Sequence, residues 1–191
     1  MDIPALSFVY IVEDLQNLQT GGDCVDGWSK EEFRVLYDRY VDMLYKICMV
    51  YLKNESDAKD GVQEIFLKLW EKKPSFSGQE HEKAWLIRLA KNYCINQLRS
   101  HWFRKRSAPP DWSAIPAEET EEDTELLELV MSLPVKFREV LYLYYYEEYS
   151  IREISRLLGR KESTLQSRLA TGREKLKERI KDHGLGAEYG R

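Results

Sequence analysis

Apolar residues in the first half of the chain recur at spacings of three and four, which predicts three amphipathic helices. The first is expected to bury Phe33, Leu36, Tyr37, Tyr40, Leu44, Tyr45, Ile47 and Cys48. The second is expected to begin at a cap formed by Ser56 and to bury Val62, Ile65, Phe66 and Leu69. The third is expected to start near residue 82 and to carry Trp85, Ile87, Leu89, Tyr93, Ile95 and Leu98.

Shorter helical patterns follow in the second half. One helix is expected at residues 126–130, ending before Pro134, and the next has its apolar positions at Phe137, Val140, Leu141 and Leu143. An apolar stripe at Ile151, Ile154, Leu157 and Leu158 then precedes Gly159, a natural left-handed C-cap. Ser163 is expected to cap a last helix with one apolar face at Leu165, Leu169, Gly172 and Leu176. Two short helices joined by a tight turn predict a helix-turn-helix.

A proline-rich and acidic segment separates the two halves. Pro109, Pro110 and Pro116 interrupt any helix there, and its carboxylates resist collapse, so the segment is expected to be a flexible linker. The predicted fold class is all-α, with two small helical domains joined by this acidic linker. The first domain is predicted at residues 30–106 and the second at 125–183, with the linker at 107–124 between them. An extension at 1–29 precedes the first domain, and a tail at 184–191 follows the second.

The formal net charge of −4 conceals blocks of opposite sign. Residues 86–106 hold six basic residues and no carboxylate, whereas residues 111–128 hold eight carboxylates and no basic residue. In residues 152–181, ten basic residues outnumber four acidic ones. Because a local basic block decides whether phosphates are bound, both helical domains are candidates for binding nucleic acid.

Cysteine and histidine spacing argues against enzymes and metal proteins. The three cysteines form no CxxC pair, which is typical of reduced thiols in a cytosol, and they are Cys24, Cys48 and Cys94. The three histidines are scattered and suggest no pair of nucleophile and base; they are His81, His101 and His183. We therefore expect no enzyme activity, no metal, no cofactor and no small-molecule substrate.

The first 12 residues, MDIPALSFVYIV, contain a short apolar run. No Lys or Arg precedes it, no small-residue cleavage site follows, and it is too short to cross a bilayer. We expect a cytoplasmic protein that does not insert into the membrane. The extension is left open between a short helix or strand packed on the first domain and a poorly ordered tail.

The last helix of the helix-turn-helix has a polar face suited to the major groove. With Leu165 pointing inward at 100° per residue, its outermost residues are Ser163, Ser167, Ala170, Thr171 and Glu174. Gln166 and Arg173 flank one side of this face, and Arg168 and Lys175 flank the other. Small central side chains can reach base edges while flanking cations hold phosphates. The same pattern also fits a solvated helical hairpin with ordinary surface charge.

Three blocks of the sequence resemble motifs of the extracytoplasmic-function group of bacterial RNA polymerase sigma factors. Residues 57–70, DAKDGVQEIFLKLW, resemble the D-A-E-D-x-V-Q-E-x-F motif of region two. Residues 74–99, PSFSGQEHEKAWLIRLAKNYCINQLR, match the following block, and residues 133–169, LPVKFREVLYLYYYEEYSIREISRLLGRKESTLQSRL, resemble region four. The resemblance covers about residues 30–181, with the blocks in the family's order. It implies an alternative sigma factor that directs core RNA polymerase to promoters and helps melt them.

The resemblance also implies roles for particular residues of the first domain. Asp60, Gln63 and Glu64 match the positions that dock on the clamp helices of the polymerase, and Phe76 and Asn92 match the pocket for a base flipped from the non-template strand. The melted strand is expected to contact Phe76, Trp85, Arg88, Lys91, Asn92, Arg99, Trp102 and Arg104.

For the second domain the resemblance implies binding to the polymerase flap and to the upstream promoter element. The residues expected at that element are Ser163, Thr164, Gln166, Ser167, Arg168, Thr171, Arg173 and Lys175. Gln166 departs from the basic residue common in the family, and Ala170, Thr171 and Gly172 replace its His-Arg-Ala or Phe-Arg-Ala, so no consensus element is carried over. An anti-sigma factor is a further expected partner.

Two other interpretations use the same residues. A stand-alone helix-turn-helix regulator would bind duplex DNA without polymerase, usually as a dimer on a palindrome. A decoy that binds polymerase without DNA would leave the basic and aromatic groups unexplained.

The resemblance implies that the acidic linker threads through the polymerase toward the RNA exit path. A further hypothesis is that in the free chain it covers the basic helices and suppresses binding to bare DNA. Deletion of residues 117–125 should then raise the affinity for bare DNA.

Overall fold

The computed structural model describes residues 29–104 and 128–183, with the side chains of Lys30 and of residues 101–104 outside the description. All regular structure in these two ranges is α-helical, which confirms the predicted all-α class. The chain divides into two compact units between residues 114 and 115, inside the predicted linker. That linker, the extension before residue 29 and the tail 184–191 lie outside the described residues. No described helix is long and apolar enough to cross a membrane.

The first unit consists of three helices that pack against one another, α1 Lys30–Leu52, α2 Glu55–Lys72 and α3 Gln79–Arg104. Helix α1 starts with a capping box: Glu32 N–H donates to Ser29 Oγ at 3.1 Å, and Ser29 N–H donates to the Glu32 carboxylate at 2.7 Å. The eight apolar positions predicted for α1 and the four predicted for α2 are all buried. Helical periodicity therefore identified the faces that α1 and α2 contribute to this core. On α3 the buried residues are Leu86, Ile87, Ala90 and Cys94, of which only Ile87 was predicted, and the predicted Leu98 is exposed.

The predicted cap of α2 is wrong, whereas the predicted start of α3 near residue 82 lies within three residues of the observed start. Helix α2 is capped by Asn54, whose Oδ1 accepts from Asp57 N–H at 2.8 Å, rather than by Ser56. Helix α1 ends in a left-handed Lys53 (φ 56°), so the extended Asn54 already occupies the cap position. Helix α3 begins at Gln79, three residues before the expected start, and Gly78 C=O accepts from Glu82 N–H at 3.1 Å.

The three helices approach closely around two buried thiols. Cys48 of α1 and Cys94 of α3 are fully buried, and their thiols are hydrogen-bonded. The hydrogen bond with Cys94, together with burial, raises the pKa of Cys48 well above its usual range. Gly61 of α2 completes this contact, since a Cβ at this position would lie 2.9 Å from Tyr93 Cε1 and 3.0 Å from Cys48 Sγ. Only a residue without a side chain fits here unless the neighbours move.

The second unit contains a helical segment at 128–132 followed by α4 Val135–Tyr145, α5 Ile151–Leu158 and α6 Glu162–Asp182. Helices α4 and α5 both pack on α6 and on each other. A capping box of Ser150 and Glu153 starts α5, and Gly159 ends it in the left-handed conformation (φ 64°), as predicted. Helices α5 and α6 form the predicted helix-turn-helix.

Ser163 does not cap α6 as predicted. The helix already begins at Glu162, and the residue before it, Lys161, has an extended backbone without a side-chain capping hydrogen bond. Gly159 completes the turn in so few residues that Ser163 lies within the first helical turn. Of the predicted apolar face, Leu165, Leu169 and Gly172 are buried and Leu176 is half-buried.

Candidate nucleic-acid interface

The loop between α2 and α3 presents an aromatic cluster at the surface. Phe76 is half-buried, and its ring centroid lies 5.7 Å from that of Trp85 and 5.7 Å from that of His81. Both contacts are edge-to-face, with interplanar angles of 67° and 87°. The structure therefore brings the predicted residues Phe76 and Trp85 together and adds His81, to which the sequence interpretation gave no binding role.

One face of α3 continues from this cluster. At 100° per residue, Trp85, Arg88, Asn92 and Arg99 fall within a sector of about 60°. Asn92, Arg88 and Arg99 are exposed, whereas Leu86, Ile87, Ala90 and Cys94 on the other side of the helix are buried. The structure therefore places an amide and two cations on the same surface as the aromatic ring of Trp85.

Lys91, Trp102 and Arg104 complete the set that was predicted on α3. Lys91 is only partly exposed and, at 100° per residue, lies about 60° outside the sector. Trp102 and Arg104 belong to the last turn of α3, and their side chains lie outside the described residues.

The residues predicted to bind polymerase share one face of α2. Asp60 is exposed, and Gln63 and Glu64 are partly exposed. Glu64 Oε1 lies 2.8 Å from Lys68 Nζ in an ion pair within the helix. The opposite face of α2 is buried, so packing holds this polar face outward.

Most residues predicted for the upstream element are open to solvent on α6. Ser163, Thr164, Gln166 and Ser167 are exposed in its first two turns, and Ser167 Oγ donates to Ser163 C=O at 3.0 Å. Further along the helix, Lys175 is exposed and Thr171 is partly exposed. The N-terminal half of α6 therefore presents a row of short polar side chains.

The two α6 arginines that were predicted to bind DNA are both engaged by α4. Arg168 Nη1 lies 2.9 Å from Glu139 Oε1, whereas the guanidinium of Arg173 lies over the rings of Tyr144 and Tyr145 at 5.4 and 5.2 Å. The sequence interpretation missed all three α4 residues. The aromatic run LYLYYY was a signal for the tyrosines, whereas Glu139 lies 29 positions before Arg168 and no local pattern pairs them.

A metal site is not formed in the parts of the chain that the structure describes. No group of three or more His, Cys, Asp or Glu side chains is placed there to hold a metal ion. The polar surfaces of both units instead combine cations, amides, hydroxyls and aromatic rings, which are groups that bind phosphates and bases.

Comparison with known families assigns both units. Residues 36–104 match the family model of Sigma-70 region 2, and residues 123–176 match that of Sigma-70 region 4. Among curated proteins, the chain is 29% identical to the ECF RNA polymerase sigma factor SigW of Bacillus subtilis, over 81% of this chain and 91% of that relative. It is also 29% identical to the ECF RNA polymerase sigma factor SigL of Mycobacterium tuberculosis, over 71% of this chain and 81% of that relative.

Solved structures show the same fold. The sigma factor RpoE of Bartonella quintana, in complex with the anti-sigma factor NepR, aligns with a TM-score of 0.69 at 21% identity, over 79% of this chain and 98% of that one. CnrH, in complex with the cytosolic domain of CnrY, aligns with a TM-score of 0.57 at 20% identity, over 81% of this chain and 90% of that one.

Proposed function

The chain belongs to the sigma-70 family of RNA polymerase sigma factors, in the extracytoplasmic-function group, and from this premise we propose a division of tasks between its two helical units. It is an alternative sigma factor that directs RNA polymerase to initiate transcription. Sigma factors bind core polymerase and promoter DNA and are generally not enzymes, so we assign no catalytic residue. A stand-alone regulator is not favoured, because the first unit matches sigma region 2.

The polar face of α2 binds core polymerase in this proposal. Asp60 is exposed and Gln63 and Glu64 are partly exposed, and buried apolar residues fix their helix from behind, so the face is ordered before contact. Replacing Asp60 or Glu64 by Ala should weaken binding to the clamp helices in a pull-down with purified core enzyme. Asp42→Ala, which removes an exposed carboxylate on α1, is the matched control.

The aromatic cluster and the exposed face of α3 capture an unpaired base of the non-template strand. Phe76 and Trp85 provide rings for stacking, Asn92 provides an amide for the Watson–Crick edge, and Arg88 and Arg99 lie on the same face for the backbone. Extruding a base costs a few kcal/mol, and stacking returns ~1–3 kcal/mol per base. Binding energy alone can therefore hold a short opened segment without ATP.

The N-terminal half of α6 reads the upstream element in the major groove. Its exposed residues include the short polar Ser163, Thr164 and Ser167, which let the helix approach the base edges closely. Arg173 and Lys175 lie further along for phosphates. The second unit also contacts the polymerase flap in this proposal, so that DNA and enzyme are held together.

An anti-sigma factor is the proposed inhibitory partner. Among the structural relatives, the sigma factor RpoE is in complex with the anti-sigma factor NepR. We also place the protein in the cytoplasm, where polymerase and promoters are found.

The observation that carries the proposal is the contact of Phe76 with Trp85 on the helix face that exposes Asn92. Reconstituted with core polymerase, the chain should produce promoter-dependent transcripts and a permanganate-reactive bubble. Phe76→Ala and Asn92→Ala should leave core binding intact and reduce opening. Asp42→Ala, which changes an exposed residue of α1 outside this face, should open promoters normally. Normal opening by both pocket variants would disprove the base-capture assignment.

A further inference from the structure

His81 lies in the first turn of α3 with its imidazole exposed, and none of the tasks assigned above uses it. Its Nδ1 accepts a hydrogen bond from Ser77 N–H at 3.3 Å, and Ser77 Oγ lies at the same distance from that nitrogen. Both contacts reach from the helix back to the preceding loop. The imidazole is therefore a link between α3 and the residue that follows Phe76.

The same imidazole contacts Phe76 directly. His81 and Trp85 are four residues apart, so their rings project from one side of α3, one turn from each other. The Phe76 ring meets both of them edge-to-face, each with a centroid distance of 5.7 Å. Phe76 is thus held by the rings of His81 and Trp85. The next residue in the chain, Ser77, is hydrogen-bonded to the His81 ring.

The start of α3 is itself anchored to α1, so it can serve as a fixed support. Arg39 Nη1 lies 3.3 Å from Glu82 Oε1, and Tyr40 Oη donates to Gln79 C=O at 3.5 Å. Residues 73–78, by contrast, form no helix or strand. A side chain on such a loop loses conformational freedom when a ligand orders it, and contacts that order it beforehand favour binding.

We propose that His81 is a positioning residue for base capture, which orients Phe76 before the unpaired base arrives. Nδ1 holds the loop backbone through Ser77 N–H, and the edge-to-face contact sets the plane of the Phe76 ring beside Trp85. His81 acts through Phe76 and not by touching the base. This inference rests on the proposed assignment of Phe76 to the base pocket.

Four variants of the full chain, assembled with core polymerase, separate the two contacts. His81→Ala removes both, His81→Asn keeps an acceptor near the position of Nδ1, and His81→Phe keeps a ring without an acceptor. We expect His81→Ala to reduce the equilibrium constant for open-complex formation roughly 2- to 10-fold, which corresponds to the loss of about one hydrogen bond. His81→Asn and His81→Phe should each reduce this constant less than His81→Ala does. His183→Ala, an exposed histidine of the second unit, should have no effect.

A double-mutant cycle with Phe76 tests whether His81 acts through that ring. In the Phe76→Ala background, His81→Ala should cause no further loss of opening, because there is no ring left to orient. If the losses of opening from the two substitutions multiplied in the double variant, His81 would act independently of Phe76. Normal opening by His81→Ala while Phe76→Ala is impaired would likewise overturn the role of His81 but leave the base pocket standing. Normal opening by Phe76→Ala would overturn the base pocket and the role of His81 together. Core binding and thermal unfolding of each variant, measured in parallel, should match wild type.

Discussion

Arg168 of the recognition helix α6 forms an ion pair with Glu139 of α4, with 2.9 Å between Nη1 and Oε1. Their side chains are only 21% and 12% exposed, so the pair is largely shielded from water. It bridges the helix proposed to read DNA to the helix behind it, and it engages a guanidinium that the sequence interpretation gave to DNA. Arg168 is thereby placed to hold α6 in its orientation.

The ion pair predicts how DNA binding by an Arg168 variant depends on salt. Arg168→Met should lower the affinity for an upstream-element duplex while leaving the slope of log K against log salt unchanged, because no phosphate contact is lost. Lys175→Met, at an exposed position, should reduce the magnitude of that slope by about 0.9. Titrations at several salt concentrations measure both. A reduced slope for Arg168→Met would mean that this residue contacts a phosphate.

The tyrosines beneath Arg173 predict that DNA binding depends on an aromatic ring at position 145. Because a cation is attracted by the face of an aromatic ring, Tyr145→Phe should bind DNA almost as wild type does, and Tyr145→Leu should bind about 2- to 5-fold more weakly. In an Arg173→Gln background Tyr145→Leu should not weaken DNA binding further, because position 173 no longer carries a cation for the ring to attract. Equal losses in both backgrounds, measured by fluorescence anisotropy, would show that Tyr145 acts independently of Arg173.

Two buried glycines of the helices predict different responses to Ala. At Gly61 the new Cβ would lie 2.9 Å from Tyr93 Cε1 and 3.0 Å from Cys48 Sγ, so Gly61→Ala should destabilise the first unit. Crowding of this kind costs about 1–3 kcal/mol, whereas the gain in helix propensity is only about 1 kcal/mol.

Gly172→Ala is the matched comparison in the second unit. Its nearest neighbour is Leu141 Cδ1 at 3.3 Å, the end of a flexible side chain, so propensity offsets the crowding and stability should change little. Thermal unfolding followed by circular dichroism measures both variants. Wild-type stability of Gly61→Ala would contradict the tight approach of α2 to its neighbours.

The Cys48 thiol predicts low reactivity and a loss of stability in alkali. Its pKa is raised by the hydrogen bond with Cys94 and by burial, and only the thiolate is nucleophilic, so iodoacetamide should not modify Cys48 in the folded chain at pH 8. Peptide mapping by mass spectrometry should find modification only after denaturant is added. If iodoacetamide modified Cys48 of the folded chain as fast as it modifies an exposed thiol, the predicted low reactivity would be refuted.

The sign of the pH effect follows from the raised pKa. The folded state favours the neutral thiol, so this group stabilises the fold fully at pH values below its pKa in the unfolded chain, which is about 8.5. The stabilisation is lost as the pH rises from there through the higher pKa of the folded chain. The free energy of unfolding of the first unit should therefore fall above about pH 8.5. A Cys48→Ala variant, measured by urea denaturation at the same pH values, should lack this component.

Helix faces were predictable from the sequence because backbone geometry repeats every 3.6 residues. All eight apolar positions assigned to α1 are buried, and Gly159 ends α5 as its missing Cβ suggested. The caps of α2 and α6 were predicted wrongly. Asn54 and Ser56 are both good capping residues, and the choice between them depends on where α1 ends.

Sequence alone was sufficient to predict the helical class, the buried faces of α1 and α2, the helix-turn-helix and the order of the motif blocks, since each depends on residues close together in the chain. Which side chains meet across helices depends on tertiary packing. Arg168 pairs with Glu139 across 29 positions, and His81 meets Phe76 in the loop before α3. Such partners depend on the separation and rotation of packed helices, which are set by the whole core and by close approaches such as that at Gly61.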